Sequence, residues 1–247
     1  MNYQEYSPDF RLTPFIETYW TVTDSIGKGS ASKILPDGCV DIIFTFDGAT
    51  DTCHSDIIGT MTTFIEVIRA QSVRMFGIRF KPAGITAFTR VPVEEFTDRN
   101  VELAPVESLF DASWDETLSE QQSTEAIINY VNNYLINRFS RLYLPDKRIV
   151  HAVDLICLAK GQLSLPAVAA EVCLCQRHFE RKFKSATGIS PKMFAKVVRF
   201  KQALQHLRNY PHKDLLSIAI ECGYYDHTHL IKEIKAFSGD TPAGFRL

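Results

Sequence analysis

Two stretches of this chain are built alike. The first is Leu163-Ser-Leu-Pro-Ala-Val-Ala-Ala-Glu-Val-Cys-Leu-Cys-Gln-Arg-His-Phe-Glu-Arg-Lys-Phe-Lys-Ser-Ala-Thr-Gly188. The second is Leu215-Leu-Ser-Ile-Ala-Ile-Glu-Cys-Gly-Tyr-Tyr-Asp-His-Thr-His-Leu-Ile-Lys-Glu-Ile-Lys-Ala-Phe-Ser-Gly239. Each holds a small apolar helix, a tight turn and a second helix loaded with Arg, Lys, His and Glu. Each closes on a glycine followed by a proline, Gly188 to Pro191 and Gly239 to Pro242. A helix of this size fits a DNA major groove and its polar tip can touch base edges, so a doubled helix-turn-helix implies double-stranded DNA as partner.

Working outward, the neighbouring sequence supplies the frame. Ser164 caps a short helix that tolerates Pro166 in its first turn. Gln176 to Lys184 is the first reading helix. Ser190-Pro191 opens a long helix to about Arg208 that buries Phe194, Val197, Val198, Ala203, Leu204 and Leu207 and joins the two units. Asp214 caps the next helix, and Asp226 caps the second reading helix, roughly His227 to Phe237. Upstream, Asp146 to Lys160 reads as a helix with Ile149, Val150, Val153, Ile156 and Cys157 on its buried side, stopped by Gly161. Leu144-Pro145-Asp146 is the domain boundary, because Pro breaks and Asp caps. The expected division is 1–144 and 145–247, the latter all-α.

The N-terminal part reads mostly as strands. Phe15 to Thr23 is rich in β-branched and aromatic residues; Pro36-Asp-Gly38 is a turn signal before the strand Cys39 to Phe46. Ser72 to Phe80 is a further strand on which Arg74 interrupts the apolar side, and Pro82 ends the ladder. Short strands with turns between them suggest a barrel or sandwich. From about Val106 the period turns helical, and Thr124 to Phe139 places Ile127, Tyr130, Val131, Tyr134 and Leu135 on one stripe. The fold class is therefore α+β.

The net charge of −2 conceals a segregation. Pro145 onward carries 16 of the 27 Lys and Arg against nine of the 29 Asp and Glu, a balance of +7, which leaves −9 for the rest. Only the C-terminal part suits a polyanion. The six cysteines form no CxxC pair, the start Met1-Asn-Tyr-Gln-Glu is polar at once, and no apolar run approaches the ~20 residues of a membrane span. A reduced, cytoplasmic protein is expected, with no membrane partner, no metal and no cofactor. Neither a nucleotide-binding glycine loop nor a metal-spaced His set is present, so no enzyme activity is expected. Cys173-x-Cys175-x-x-His178 reads as small packed residues at a turn before it reads as a metal or redox site. His227 and His229, two apart on a helix, diverge and chelate poorly. Asp37, Asp41 and Arg79 are either a ligand's polar anchors or internal ion pairs.

These residues resemble the DNA-binding domain of the AraC/XylS family of transcriptional regulators. Ala167-Val-Ala-Ala170, Phe179-x-x-x-Phe183-Lys184, Gly188-x-Ser190-Pro191 and Arg199-Phe-x-x-Ala203 fit its first unit. Ile218-Ala219, Gly223-Tyr224, Asp226-x-x-His229-Leu230 and Phe237-x-Gly239-x-Thr241-Pro242 fit its second. Leu35-Pro-Asp-Gly-x-Val-Asp-Ile-Ile-Phe44 and Gly77-Ile-Arg-Phe-Lys-Pro-x-Gly84 resemble the front half of a subset of the family. The resemblance implies a sensing or dimerising β domain, often cupin-like, before the DNA-binding domain. A small-molecule effector, a homodimer partner and RNA polymerase are the further partners it leaves open.

Position in the motif turns Arg177, Glu180 and Arg181 of the first unit toward the groove, where Arg can fork onto guanine and Glu can accept from cytosine. His227, Thr228 and Lys232 are their counterparts in the second, with His227 standing where the family usually has Gln. Gln176, Lys182, Lys184 and Lys192 are the phosphate candidates. Two rival functions remain: an alkyl-accepting repair regulator, which needs an activated cysteine, and a protein that coats DNA without sequence choice.

Overall fold

The computed structural model describes residues 2–23, 31–47, 52–68, 74–103, 114–121, 123–138 and 143–246. The N-terminal part is built on one antiparallel sheet of six strands, β1 (Asn2–Tyr6), β2 (Ile16–Thr23), β4 (Val40–Asp47), β5 (Thr52–Ile58), β7 (Arg74–Phe80) and β8 (Asn100–Glu102), in the order β1-β2-β7-β4-β5-β8. A two-stranded ribbon, β3 (Ala31–Ile34) with β6 (Ile65–Ile68), stands beside it. The α+β class is as expected from the sequence.

Register explains the sheet's two faces. Phe44 pairs with Phe76 and Ile42 with Ile78, while Tyr19 lies opposite Ile78. These side chains share one face by the two-residue period of a strand. Helices α1 (Trp114–Ser119) and α2 (Thr124–Asn137) cover that face with Trp114, Leu118, Ile127, Val131 and Leu135. Tyr134 meets Trp114 edge-on at 4.0 Å between ring centres. The other face carries Trp20, whose indole lies against Gly77; a Cβ there would stand 2.0 Å from the ring, so only glycine fits. Arg74, the apparent break in its strand, sits over the Phe46 ring at 4.4 Å. Ser72 and the 104–113 segment of the helical expectation lie outside the described residues, as does Phe139.

The C-terminal part is all helix: α3 (Lys147–Leu158), α4 (Leu165–Glu171), α5 (Gln176–Thr187), α6 (Pro191–Asn209), α7 (Leu215–Glu221) and α8 (His227–Ser238). Its core holds Ile149, Val153, Ile156, Phe179, Phe183, Phe194, Val197, Phe200, Leu230, Ile234 and Phe237. Three expected core residues do not lie in it. Val150 and Val198 are half-buried and Cys157 is exposed, because all three face a cleft toward the sheet domain. Phe200, absent from the expected stripe, is fully buried and stacks on Phe237 at 5.1 Å. No helix among the described residues is long and apolar enough to cross a membrane.

Candidate nucleic-acid interface

The two units are built the same way to the level of single hydrogen bonds. In the first, α4 passes Val172 and turns at Cys173, whose φ of 54° is left-handed; Leu174 N then donates to Ala169 O at 2.9 Å. In the second, α7 passes Cys222 and turns at Gly223, φ 76°, and Tyr224 N donates to Ala219 O at 2.9 Å. The reading helices α5 and α8 are each 12 residues long and each end on a left-handed glycine, Gly188 and Gly239. Even the penultimate hydroxyls match: Thr187 donates to Phe183 O and Ser238 to Ile234 O.

The helix entries differ. Asp226 accepts from His229 N at 2.7 Å and caps α8. The equivalent residue on α5, Cys175, makes no side-chain cap bond. Ser164 occupies the cap position of α4 without bonding either, whereas Asp214 and Ser190 cap α7 and α6 as anticipated.

This correspondence sorts the reading candidates. Arg177, Glu180 and Arg181 are exposed on α5, and His227, Thr228 and Lys232 are exposed on α8. Counting from each helix start, Thr228 matches Arg177 and Lys232 matches Arg181. His227 matches Gln176, and the half-buried Ile231 matches Glu180. Lys235 stands where Lys184 stands on the first helix and is exposed; sequence reading missed it, although the shared spacing to Gly188 and Gly239 marks it. Tyr225, 90% exposed just before the α8 cap, is the other unanticipated group on this surface.

Three of the four phosphate candidates are already engaged. Gln176 donates to Glu180 Oε1 at 2.7 Å. Lys182 Nζ lies 2.9 Å from Asp146, a carboxyl held well below the usual range by Arg148 first and by Lys182. Lys184 Nζ lies 3.0 Å from Glu94 of the sheet domain. Lys192 is exposed on the first turn of α6.

Behind the second unit, Arg199 of α6 makes a bidentate pair with the buried Glu233 of α8 at 2.8–3.1 Å, and its guanidinium lies 4.6 Å over the Tyr224 ring. His229 stands edge-on to Tyr224 at 5.2 Å, so it packs within the unit. Such a pair fixes a geometry more than it adds stability. Phe183 against Phe194, 5.5 Å apart, joins α5 to the same helix α6.

The other clusters anticipated from sequence also have places. Arg79 lies between Asp41 (3.2 Å) and Asp37 (3.5 Å), and Trp20 Nε1 donates to Asp41 at 2.8 Å, so these three charges are internal partners. Cys173 and Cys175 are exposed, not packed. Among the described residues no group of three His, Cys, Asp or Glu is placed to hold a metal ion. Burial, Asp37 and Glu17 push the Cys39 thiol well up, and burial pushes Cys53 up to about 12.

Between the sheet domain and helices α3 and α6 lies a cavity of about 960 Å³. Its apolar lining includes Phe15, Pro82, Val150, Phe194 and Val198, with Glu17, Lys81, Lys147, Asp154 and Lys201 around them. Glu17 reaches it from a β-bulge between Ile16 and Thr18.

Residues 168–247 match the model of a family described as a helix-turn-helix domain, and residues 4–102 match one described as a domain of unknown function (DUF6597). A curated relative, the HTH-type transcriptional regulator MtrA of Neisseria gonorrhoeae, is 23% identical over 139 residues, which cover 50% of this chain and 46% of that protein. The chain thus spans about half the length of the curated relative it matches. Among solved structures, a transcriptional regulator with an AraC-type DNA-binding domain from Chromobacterium violaceum shares 26% identity over 40% of this chain and 89% of its own, with a TM-score of 0.38. ToxT from Vibrio cholerae aligns over 93% of this chain and 98% of its own at 8% identity, with a TM-score of 0.49.

Proposed function

We propose that this chain, whose residues 168–247 match a helix-turn-helix family model, is an AraC/XylS-type regulator that binds a specific operator and controls transcription there. The observation that carries this reading is the repeated geometry. Two like-built units on one spine, α6, present exposed reading stripes, Arg177, Glu180 and Arg181 on one and His227, Thr228 and Lys232 on the other. In this reading the two helices enter successive major-groove segments on one DNA face, about one turn (~34 Å) apart. Lys184, Lys192 and Lys235 hold phosphates, and Lys182 joins them on leaving Asp146. Gln176, at the start of α5, borders the backbone.

The cavity of about 960 Å³ supports a small-molecule effector with an apolar body and a polar head. A ligand there would touch both domains and so shift their relation. A second copy of the chain and RNA polymerase complete the partner set of this reading. The alkyl-acceptor alternative has little support from the thiols: those of Cys39, Cys53 and Cys222 are pushed up, first by burial, where such chemistry needs a thiolate.

Selection of genomic fragments by the full chain at near-physiological salt, followed by footprinting, tests the proposal. Two protected major-groove segments on one face are expected. Salt-sensitive binding with no enriched fragment, with and without a cell extract of small molecules, would favour the DNA-coating alternative instead.

A further inference from the structure

The carbonyls at a helix C-terminus have no partner within the helix and ordinarily turn to water. At the ends of both reading helices they are met by the sheet domain. On α5, Thr60 Oγ1 donates to Thr187 O and Thr97 Oγ1 donates to Gly188 O, each at 2.7 Å, and Thr60 is fully buried. A Cβ on Gly188 would stand 3.0 Å from both hydroxyl oxygens. On α8, Thr63 Oγ1 donates to Ala236 O at 3.1 Å and Lys33 Nζ donates to Ser238 O at 3.2 Å while pairing with Asp240 at 2.8 Å. Phe64 lies so close on Gly239 that a Cβ there would be 2.7 Å from the ring. An ammonium at that end also complements the helix dipole.

One short segment, Thr60 to Phe64, reaches both helix ends, and Thr97 and Lys33 add to it from elsewhere in the sheet domain. Thr60 and Phe64 are four residues apart, so their Cα atoms are at most ~14 Å from each other. Asp98 pins the middle of this crossbar, accepting from Thr62 N at 2.7 Å and Thr62 Oγ1 at 2.6 Å. Within the helical domain the units are held by the spine α6 and by Gln162, beside the first unit, which donates to Glu221 O of the second at 3.1 Å. The crossbar adds a further join at the C-terminal ends of α5 and α8, and a frame closed there as well resists rocking. The contacts lie at the helix C-termini, and Arg177, Glu180, Arg181, His227, Thr228 and Lys232 stay exposed.

We propose that Thr60, Thr97, Phe64 and Lys33 are positioning residues for DNA recognition: the sheet domain holds α5 and α8 at one separation and angle, and so selects the spacing between the two base blocks that the chain accepts. The inference rests on the operator reading above and assigns its spacing specificity to residues that touch no DNA. Two linked sites gain from each other only when geometry lets both engage, so a rigid frame penalises a wrong spacer heavily.

The test uses the full chain and a random-sequence duplex pool, followed by the enriched duplexes with the spacer between blocks lengthened or shortened by a base pair or two. The wild type should lose about tenfold or more in affinity on each change of spacer. Asp98→Ala, which frees the crossbar without touching either helix, and Phe64→Ala should flatten that penalty to about threefold or less while each block keeps its base preference. Thr60→Ser and Lys33→Arg should behave as wild type. Melting curves establish that each variant is folded. An unchanged spacer penalty in folded Asp98→Ala and Phe64→Ala overturns the inference. So does tighter binding at the same spacing, which would make the contacts a brake. A wild type that enriches no sequence overturns the operator reading itself, and this inference with it.

Discussion

Cys175 begins α5 where Asp226 begins α8, and the two differ in the single bond that a cap supplies. Both have the extended backbone of a cap residue. A serine at 175 would accept from the helix's free N–H groups at no cost in space, since the position is exposed. Cys175→Ser should therefore raise stability by ~1 kcal/mol, read as a shift in the denaturation midpoint at constant slope. A midpoint that does not move would mean that water already serves those groups as well. Side chains on the reading stripe should behave otherwise. Arg177→Ala removes a fork suited to guanine and should cost about 1–3 kcal/mol on the selected operator while relaxing preference at one base pair. Loss spread evenly over all sequences would make Arg177 a phosphate contact.

At the scale of elements, the sheet face around Trp20 carries a buried carboxyl, Asp41. Burial pushes it up to about 6, against the pull of Arg79 and the hydrogen bond from Trp20. An acid whose pKa is raised by folding is held best when protonated. Its contribution is full below the unfolded value near 3.9 and is lost as pH rises through about 6. Asp41→Asn keeps the shape of the neutral form. The variant should match the wild type near pH 4 and exceed it by up to about 2 kcal/mol near pH 7. Urea midpoints of both proteins across that range check this, and a variant less stable at pH 7 would show that the pair with Arg79 outweighs burial. Period and caps made the C-terminal helices legible because each buries one stripe and four of the six begin on a side chain that bonds its own backbone. Asp146, Ser190, Asp214 and Asp226 were all readable in this way. Val150, Cys157 and Val198 were not, because an apolar residue turned to a cleft has the same spacing as one turned to a core. The partners of Lys182 and Lys184 were equally hidden: Asp146 and Glu94 lie 36 and 90 positions away in the chain, and no local pattern couples them.

Over the whole molecule, the charge segregation visible in the sequence becomes a contact between the two domains. Glu94 of the acidic domain occupies Lys184 at 3.0 Å, on the helix proposed to read DNA. Both groups are partly exposed, at 31% and 53%, so the pair itself contributes little, well under ~1 kcal/mol. Its effect on binding is larger in kind than in size. A phosphate that takes Lys184 must first displace a carboxylate, which then remains close to the DNA backbone. Glu94→Gln removes both the competition and the repulsion and leaves the hydroxyl contacts of Thr60 and Thr97 in place. The variant should bind duplex DNA about two- to fivefold more tightly at low salt, a gain that fades as screening rises. Lys184→Met should weaken binding across all sequences and reduce the slope of log affinity against log salt by ~1. In the double variant the gain from Glu94→Gln should shrink, because no ammonium is left to free. An equal gain with and without Lys184 would place the effect in the general field of the acidic domain rather than in this ion pair.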